Sequence, residues 1–409
     1  MRDRLHKLLP KQVIPILALI SIVLLFAGLA YFFSTRSPIG SVPEVAILQS
    51  KPMSFEQYST YFRTLAQNKG AEYAFTVLRQ ARFPDGIDIH LLGHVVGDIL
   101  YKQKGLEGIK ICTPDFRNAC SHSIVIGLLL ERGESALDDI ARACREAPGG
   151  KGAYTMCFHG LGHGILAFTD YNLEKAVALC KKTGTPEFQN REYPECVGGT
   201  VMEMIAGVHD HIAWEKQSPK YFTSADPLTP CDSAFMPQEA RAICYTYLTP
   251  HLFTSAGADL GSPDPKYFPK AFSYCDKIPE NDTEDRNACY GGFGKEFIVL
   301  AQGRDIRDMG SMEAPALGNV RAWCAMAGST PGEGACNGNA LASLFWGGEN
   351  KPDAAFTYCA IAVGKDRDQC YSGLLDTVSF YLSGNPKGYP ICSRFPDPFK
   401  GICLSRISS

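Results

Sequence analysis

Two pairs of histidines stand at a spacing that suits metal chemistry. The stretch CFHGLGHGILAF contains His159 and His163, and the earlier stretch DIHLLGHVVGDIL contains His90 and His94. On a helix, residues four apart share one face, with their β carbons about 5–6 Å apart. Each pair can therefore present two ring nitrogens to a single ion, as helical zinc-binding pairs do.

A third, shorter segment of the same kind, CSHSIVIGLLLE, begins at Cys120 and carries His122. When the segments are aligned by their first cysteine, His122 and His159 fall at cysteine plus two and His163 at plus six. The earliest segment fits the same register if Asp88 takes the place of the cysteine. If the three segments are copies of one helical unit, their imidazoles converge on one side. The predicted metal ligands are His90, His94, His122, His159 and His163.

The residues next to the histidines, and the type of ligand they provide, limit the kinds of metal site that are expected. Positions 91 and 160 are leucine and glycine, so the H-E-x-x-H pattern of zinc proteases is absent. A set of nitrogen ligands, with or without a carboxylate, suits a transition metal ion such as zinc, copper or iron. The alternative is that the histidines only pack in a helical core.

Three further polar residues share the register cysteine plus seven: Glu203, His251 and Glu296. If the protein is a metal-dependent enzyme, the ion would act as a Lewis acid or a redox centre. Glu203 is then the candidate for catalytic proton transfer. The nearby His209 and His211, in the sequence HDH, are predicted to lie in a solvated turn.

The cysteines mark a repeat. There are sixteen, none in a C-x-x-C pattern, which favours disulfides over zinc ribbons or thioredoxin-type redox motifs. The first cysteine of each successive pair ends a helix-like stretch and the second opens another, with turn residues between them. Pairs recur every 32 to 51 residues, as stacked helical hairpins do. The pattern predicts an all-α solenoid of helical hairpins braced by disulfides within each repeat.

Two pairing schemes are compatible with these positions. Local pairing joins the two cysteines of each unit, whereas a shifted scheme joins the second cysteine of one unit to the first of the next. The shifted scheme leaves Cys112 and Cys403 without partners, so local pairing is the prediction. The cysteines concerned are Cys112, Cys120, Cys144, Cys157, Cys180, Cys196, Cys231, Cys244, Cys275, Cys289, Cys324, Cys336, Cys359, Cys370, Cys392 and Cys403.

Stretches such as ALDDIARACREAP and LEKAVALCKKTGTPE, together with one cysteine pair per unit, resemble the disulfide-bridged relatives of tetratricopeptide repeats found in secreted bacterial proteins. The resemblance covers residues 54–403. It implies stacked hairpins and a concave face that binds a peptide or protein ligand. The glycine- and histidine-rich openings of the second helices depart from that pattern. A non-catalytic binding scaffold is therefore the alternative to a metal site.

The N-terminus predicts a membrane anchor. Residues 13–33 are uncharged and long enough to cross a bilayer, and the basic residues before them favour a cytoplasmic N-terminus. A cleaved signal peptide, the alternative, usually has an apolar region of only about 7–15 residues. The prediction is a cytoplasmic tail (1–12), a single-pass anchor (13–33), a linker (34–52) and an extracytoplasmic domain (53–409), periplasmic or extracellular.

The composition excludes one class of partner. Of the 409 residues, 45% are apolar and 20% charged, with a formal net charge of −3. Such a balance provides for a large core but lacks the basic surface that nucleic acid requires. The predicted partners are the membrane and a peptide or protein ligand.

Overall fold

The computed structural model describes residues 42–408 except 85, 149, 224–225, 260–263, 305, 307–308 and 346–350. These residues are helical, with turns and loops between the helices and no strand among them. The predicted all-α class is thus confirmed. No helix in the described ranges has both the length and the apolar character needed to cross a bilayer. The predicted anchor, residues 13–33, and the tail before it lie outside these ranges.

The described residues form nineteen α-helices, joined by turns and short 3₁₀ segments. In chain order they are α1 (Pro43–Ser50), α2 (Phe55–Lys69), α3 (Ala71–Gln80), α4 (Ile89–Lys104), α5 (Ala119–Arg132), α6 (Leu137–Glu146), α7 (Gly150–Phe168), α8 (Leu173–Cys180), α9 (Glu192–Ala206), α10 (His211–Gln217), α11 (Gln238–Ala256), α12 (Phe268–Phe272), α13 (Thr283–Leu300), α14 (Ala314–Cys324), α15 (Thr330–Phe345), α16 (Asp353–Ala360), α17 (Lys365–Leu382), α18 (Gly388–Cys392) and α19 (Phe399–Ile407).

The chain divides into two units, one made of residues 1–51 with 80–82 and the other of residues 52–79 with 83–409. In the first unit, α1 lies within the segment predicted to be a linker. Pro43 in its first turn, followed by Glu44, explains this, because proline and acidic residues favour a helix start. In the second unit, α2 begins with the predicted capping box of Ser54 and Gln57 and ends at Gly70.

Eight disulfides brace the second unit, and they follow the local scheme. The bridges are Cys112–Cys120, Cys144–Cys157, Cys180–Cys196, Cys231–Cys244, Cys275–Cys289, Cys324–Cys336, Cys359–Cys370 and Cys392–Cys403. Their Cα–Cα distances, 5.3 to 5.7 Å, are ordinary for disulfides. No cysteine is free.

The second helix of a unit begins earlier than its cysteine. Helix α7 starts at Gly150, seven residues before Cys157, and α13 starts at Thr283, six residues before Cys289. The loops predicted between the cysteines are therefore partly helical. A cysteine one or two turns inside its helix still meets the preceding segment, since Cys157 lies 5.6 Å from Cys144 between Cα atoms.

The long helices pack one against the next along the chain. The order is α4, α5, α7, α9, α11, α13, α15, α17 and α19. Glycine permits very close approach between them. A β carbon on Gly162 of α7 would lie 2.0 Å from the carbonyl oxygen of Cys196, and one on Gly160 would lie 2.4 Å from the His122 ring. Close packing brings the polar faces of α4, α5 and α7 together.

Candidate metal centre

Six imidazoles cluster where α4, α5 and α7 meet. Five are the histidines predicted as ligands, all of them buried, and the sixth is His209 from the turn after α9. The ring centroids of His94 and His122 are 5.6 Å apart, and those of His122 and His163 are 6.0 Å apart. The predicted convergence of three successive units is therefore present in the geometry.

The first pair, on α4, is held from behind by oxygen acceptors. His90 donates its Nδ1 proton to the carbonyl of Phe116 at 2.6 Å. Nδ1 of His94 lies 3.2 Å from Oγ of Ser123, whose hydroxyl donates to the His94 carbonyl at 3.1 Å. With Nδ1 of both rings occupied by an oxygen, their Nε2 atoms face each other at 3.2 Å.

The second pair, on α7, is similar, except that Nδ1 of His159 makes no hydrogen bond within the described residues. His163 donates from Nδ1 to Oε2 of Glu203 at 3.0 Å. Its Nε2 lies 3.3 Å from Nε2 of His159. On the other side of His159, the ring of Tyr247 stacks at a centroid distance of 4.6 Å. Two Nε2 pairs thus lie side by side in one cluster.

The separation within each pair matches that of two ligands on one ion. Nitrogen ligands about 2.0–2.1 Å from a tetrahedral ion are about 3.3 Å from each other. Two Nε2 lone pairs at that distance repel unless a metal ion or a proton lies between them. Hydrogen bonds to the distal nitrogens of ligating histidines, of the kind that Phe116, Ser123 and Glu203 accept, are a usual feature of metal sites.

His122, on α5, lies between the two pairs. Its ring centroid is 5.7 Å from that of His90 and 5.8 Å from that of His159. Within the described residues neither of its nitrogens makes a hydrogen bond; the carbonyl of Met156 opposes the effect of burial on its pKa but lacks hydrogen-bonding geometry. Burying an imidazole whose nitrogens make no hydrogen bond costs free energy of folding, unless a ligand binds to one of them.

Glu203, predicted as the proton-transfer residue, accepts hydrogen bonds from several groups around the second pair. Its Oε1 accepts from the hydroxyl of Tyr171 and from the backbone N–H groups of Val208 and His209, at 2.9 and 3.0 Å for the last two. Its Oε2 accepts from Nδ1 of His163 and from Nδ1 of His209 at 2.8 Å. Five donors occupy the carboxylate, so no lone pair remains to take a proton. The geometry fits a residue that orients imidazoles better than one that transfers protons.

Sequence reasoning missed His209. The HDH segment was expected to be solvated, and His211 is indeed exposed and ion-paired with Glu215 at 3.2 Å. His209, two residues earlier, instead turns back onto Glu203. Helix α9 ends at Gly207 in the left-handed conformation, and the chain reverses there. A glycine four residues after a candidate carboxylate was the available signal.

Charge states in the cluster favour metal ligation. Burial lowers the pKa of His90 to about 4, against the opposing effects of Asp88 and the Phe116 carbonyl. Burial also lowers the pKa of His94, His122 and His159 well below the usual range, and neighbouring histidines add to the effect. These rings are therefore neutral at pH 7, with a lone pair available.

The pKa values of Glu203 and its two histidine partners, His163 and His209, depend on the charges among them as well as on burial. Burial alone would raise the pKa of Glu203, but the charge of His209 and the hydrogen bonds from His163 and His209 hold it well below the usual value. Burial lowers the pKa of His163, and Glu203 offsets part of that effect. Burial would lower the pKa of His209, but the charge and hydrogen bond of Glu203, together with the charge of Asp98, outweigh burial and raise it. Glu203 is thus an anion at pH 7 beside the neutral imidazoles of the cluster.

Two groups of side chains place one potential ligand atom each within 4.8 Å of the others. They are His90, His94 and His122, and His163, Glu203 and His209. These buried groups could hold a metal ion. Of the other residues at cysteine plus seven, His251 stacks on Phe222 at 4.5 Å, and Glu296 lines a cavity beside the cluster.

That cavity, with about 590 Å³ of empty space open to solvent, reaches the cluster at the rings of His90, His122 and His159. It supplies a path by which an ion or a small molecule can approach the buried nitrogens. No known protein family, curated protein or solved structure matches this chain at a significant level. The interpretation of the site therefore depends on its own chemistry.

Proposed function

We propose that this protein binds two transition metal ions, one at each histidine pair, and uses them as the centre of a metal-dependent enzyme. The observation that carries the proposal is the pair of Nε2–Nε2 distances, 3.2 and 3.3 Å, in two adjacent pairs. Oxygen atoms hold three of the four rings at Nδ1, those of His90, His94 and His163. His122 lies between the two pairs with neither nitrogen hydrogen-bonded, and as an imidazolate, after loss of its N–H proton, it would be a ligand shared by both ions. Zinc, copper and iron are the candidate ions for such a nitrogen-rich set.

Each ion would act as a Lewis acid or a redox centre for a molecule entering by the cavity. The chain's own residues hold the rings in place. Glu203, Ser123 and the Phe116 carbonyl fix the orientation of His163, His94 and His90, respectively.

The setting is also part of the proposal. A helical-hairpin repeat domain outside the cytoplasm, tethered by residues 13–33, agrees with sixteen cysteines that are all disulfide-bonded. Binding of a peptide or protein ligand by a concave face remains a prediction without a specific observation in its favour.

Metal analysis of the purified full-length protein tests the centre. After reconstitution with zinc and removal of excess ion, we expect about two equivalents per chain. The double variant His90→Ala/His94→Ala should retain one, His159→Ala/His163→Ala should retain one, and the combination of all four should retain none. His122→Ala should weaken both sites.

His211→Ala is the matched control, because this histidine is exposed and lies away from the cluster. It should bind zinc as the wild type does. Suppose that the wild-type protein binds no more zinc than the variant with all four alanines, while its disulfides and helix content are intact. Packing would then be the only role left for the histidines.

A further inference from the structure

The cavity beside the cluster has two chemically different walls. One wall consists of the rings of His90, His122 and His159. Other lining residues come from α13, among them Lys295, which stands six residues after Cys289. That is the register of His163 in α7, six residues after Cys157. The same position of the repeat thus carries an imidazole within the cluster and an ammonium group in the cavity lining.

Arg117 adds a second cation from a strained turn. Phe116, Arg117 and Asn118 have φ angles of 57°, 53° and 62°, all in the left-handed region that non-glycine residues seldom adopt. Such strain is most often retained at functional sites. The short disulfide loop from Cys112 to Cys120 encloses this turn. The same backbone segment therefore presents the Phe116 carbonyl to His90 and the Arg117 side chain to the cavity.

Positive charge exceeds negative charge along the cavity. Arg117, Lys295 and Arg304 line it together with two carboxylates, Asp88 and Glu296. Asp88 already accepts the N–H of Leu91 at 3.0 Å as the N-cap of α4, and Glu296 pairs with Lys295 at 3.2 Å. Among the charged side chains that line the cavity, three are therefore cations and two are carboxylates.

We propose that this cavity binds the substrate of the metal centre and that the substrate is a small oxyanion, carrying a carboxylate or phosphate group. The anion would lie between Lys295 and Arg117, with its reactive part towards His122 and His159. Arginine and lysine form the strongest hydrogen bonds available to such groups. Lys295 lies over the ring of Tyr247, 4.4 Å from its centroid, so its ammonium is held at the cavity wall. This proposal rests on the metal-dependent function proposed above.

Calorimetric titration of the zinc-loaded full-length protein tests it, with inorganic phosphate, acetate and uncharged acetamide as probes. We expect phosphate or acetate to bind at least tenfold more tightly than acetamide, and the stronger of the two identifies the head group. Lys295→Met should weaken anion binding about tenfold or more, since it removes a charge-assisted hydrogen bond. Glu296→Gln should tighten it severalfold, because a competing carboxylate is lost.

The matched control is Arg321→Met, which removes an arginine from the ring of Tyr358 outside this cavity. It should leave anion binding unchanged. If Lys295→Met and Glu296→Gln both bind anions as the wild type does, with zinc content unaltered, the anion lies on the metal alone and the cavity proposal is wrong. Zinc content measured on the same samples separates the two proposals. A protein without zinc contradicts the metal centre, and the cavity cations are still tested by the same titration.

Discussion

Helices α7 and α13 share one framework and differ in what their inner faces carry. Each has a disulfide-bonded cysteine followed by a glycine at plus five, and a β carbon there would meet the carbonyl oxygen of the next unit's cysteine. The distances are 2.0 Å for Gly162 and 1.9 Å for Gly294. At plus six, however, α7 carries His163 and α13 carries Lys295.

The cores behind the two helices differ as well. Behind α13 lies a cluster of phenylalanines, with Phe293 packed on Phe272 at a centroid distance of 4.2 Å and on Phe253 at 5.1 Å. At plus four and plus eight from the cysteine, α13 carries Phe293 and Phe297. The same positions of α7 carry the aliphatic residues Leu161 and Ile165. The framework thus sets how closely helices approach, whereas single positions at plus two and plus six decide what chemistry they face. Glycine in these segments is a packing feature common to both halves and does not by itself indicate a metal site.

Substitution of the two matched glycines tests most directly whether the framework and the zinc binding are separate properties. We expect Gly162→Ala and Gly294→Ala to lower the free energy of unfolding by similar amounts, about 3 kcal/mol, because each new methyl group overlaps a backbone oxygen. Only Gly162→Ala should also reduce zinc binding, since it lies between His159 and His163. Denaturant unfolding under non-reducing conditions and zinc analysis on the same samples measure both effects. Equal loss of zinc from the two variants would mean that metal content follows global stability.

Glu203 tests whether the α7 pair depends on the residue behind it. Glu203→Gln keeps the shape but replaces an acceptor-only group with one that opposes the Nδ1 protons of His163 and His209. We expect zinc affinity at this pair to fall about 10–100-fold, the usual effect of losing such a partner.

Glu192→Gln is the comparison for that variant. Glu192 is also fully buried and accepts from a tyrosine, Tyr154 at 2.9 Å, but it lies outside the histidine cluster. Competition with a chromophoric zinc chelator measures both affinities. A loss of zinc affinity in Glu192→Gln as large as that in Glu203→Gln would assign the effect to a buried carboxylate in general.

Much of the fold could be predicted because it depends on local signals. Capping residues such as Ser54, the recurring cysteine pairs and the three- and four-residue apolar spacing all act within one helical hairpin. The residues at which helices begin were harder to predict from the sequence. The segment before Cys157 reads as a turn because of its glycines and Pro148, yet helix α7 begins at Gly150, within it. The contact of Cys157 with Cys144 in the preceding helix outweighs local propensity there.

The histidine cluster was predictable only in part. The five histidines were found because they share one repeat register, and equivalent positions of successive packed helices lie on the same side. His209 and the cavity cations were not found, because Arg117 and Arg304 approach from turns whose left-handed residues redirect the chain. No spacing rule connects residue 117 with residue 304. Such contacts follow from the path of the whole chain.

The smallest expected effect concerns the α4 pair. Ser123→Ala removes a neutral acceptor behind His94, and a neutral hydrogen bond contributes about 1 kcal/mol, which corresponds to roughly a fivefold loss of zinc affinity. Ser121→Ala, two residues earlier on the same helix, removes a buried hydroxyl that bonds the Asn118 carbonyl at 3.0 Å and should leave zinc affinity unchanged. Measured beside Glu203→Gln, this variant ranks the two pairs. If Ser123→Ala costs as much as Glu203→Gln, the charge of the carboxylate adds nothing to the α7 pair, and the two halves of the centre are held equally by position alone.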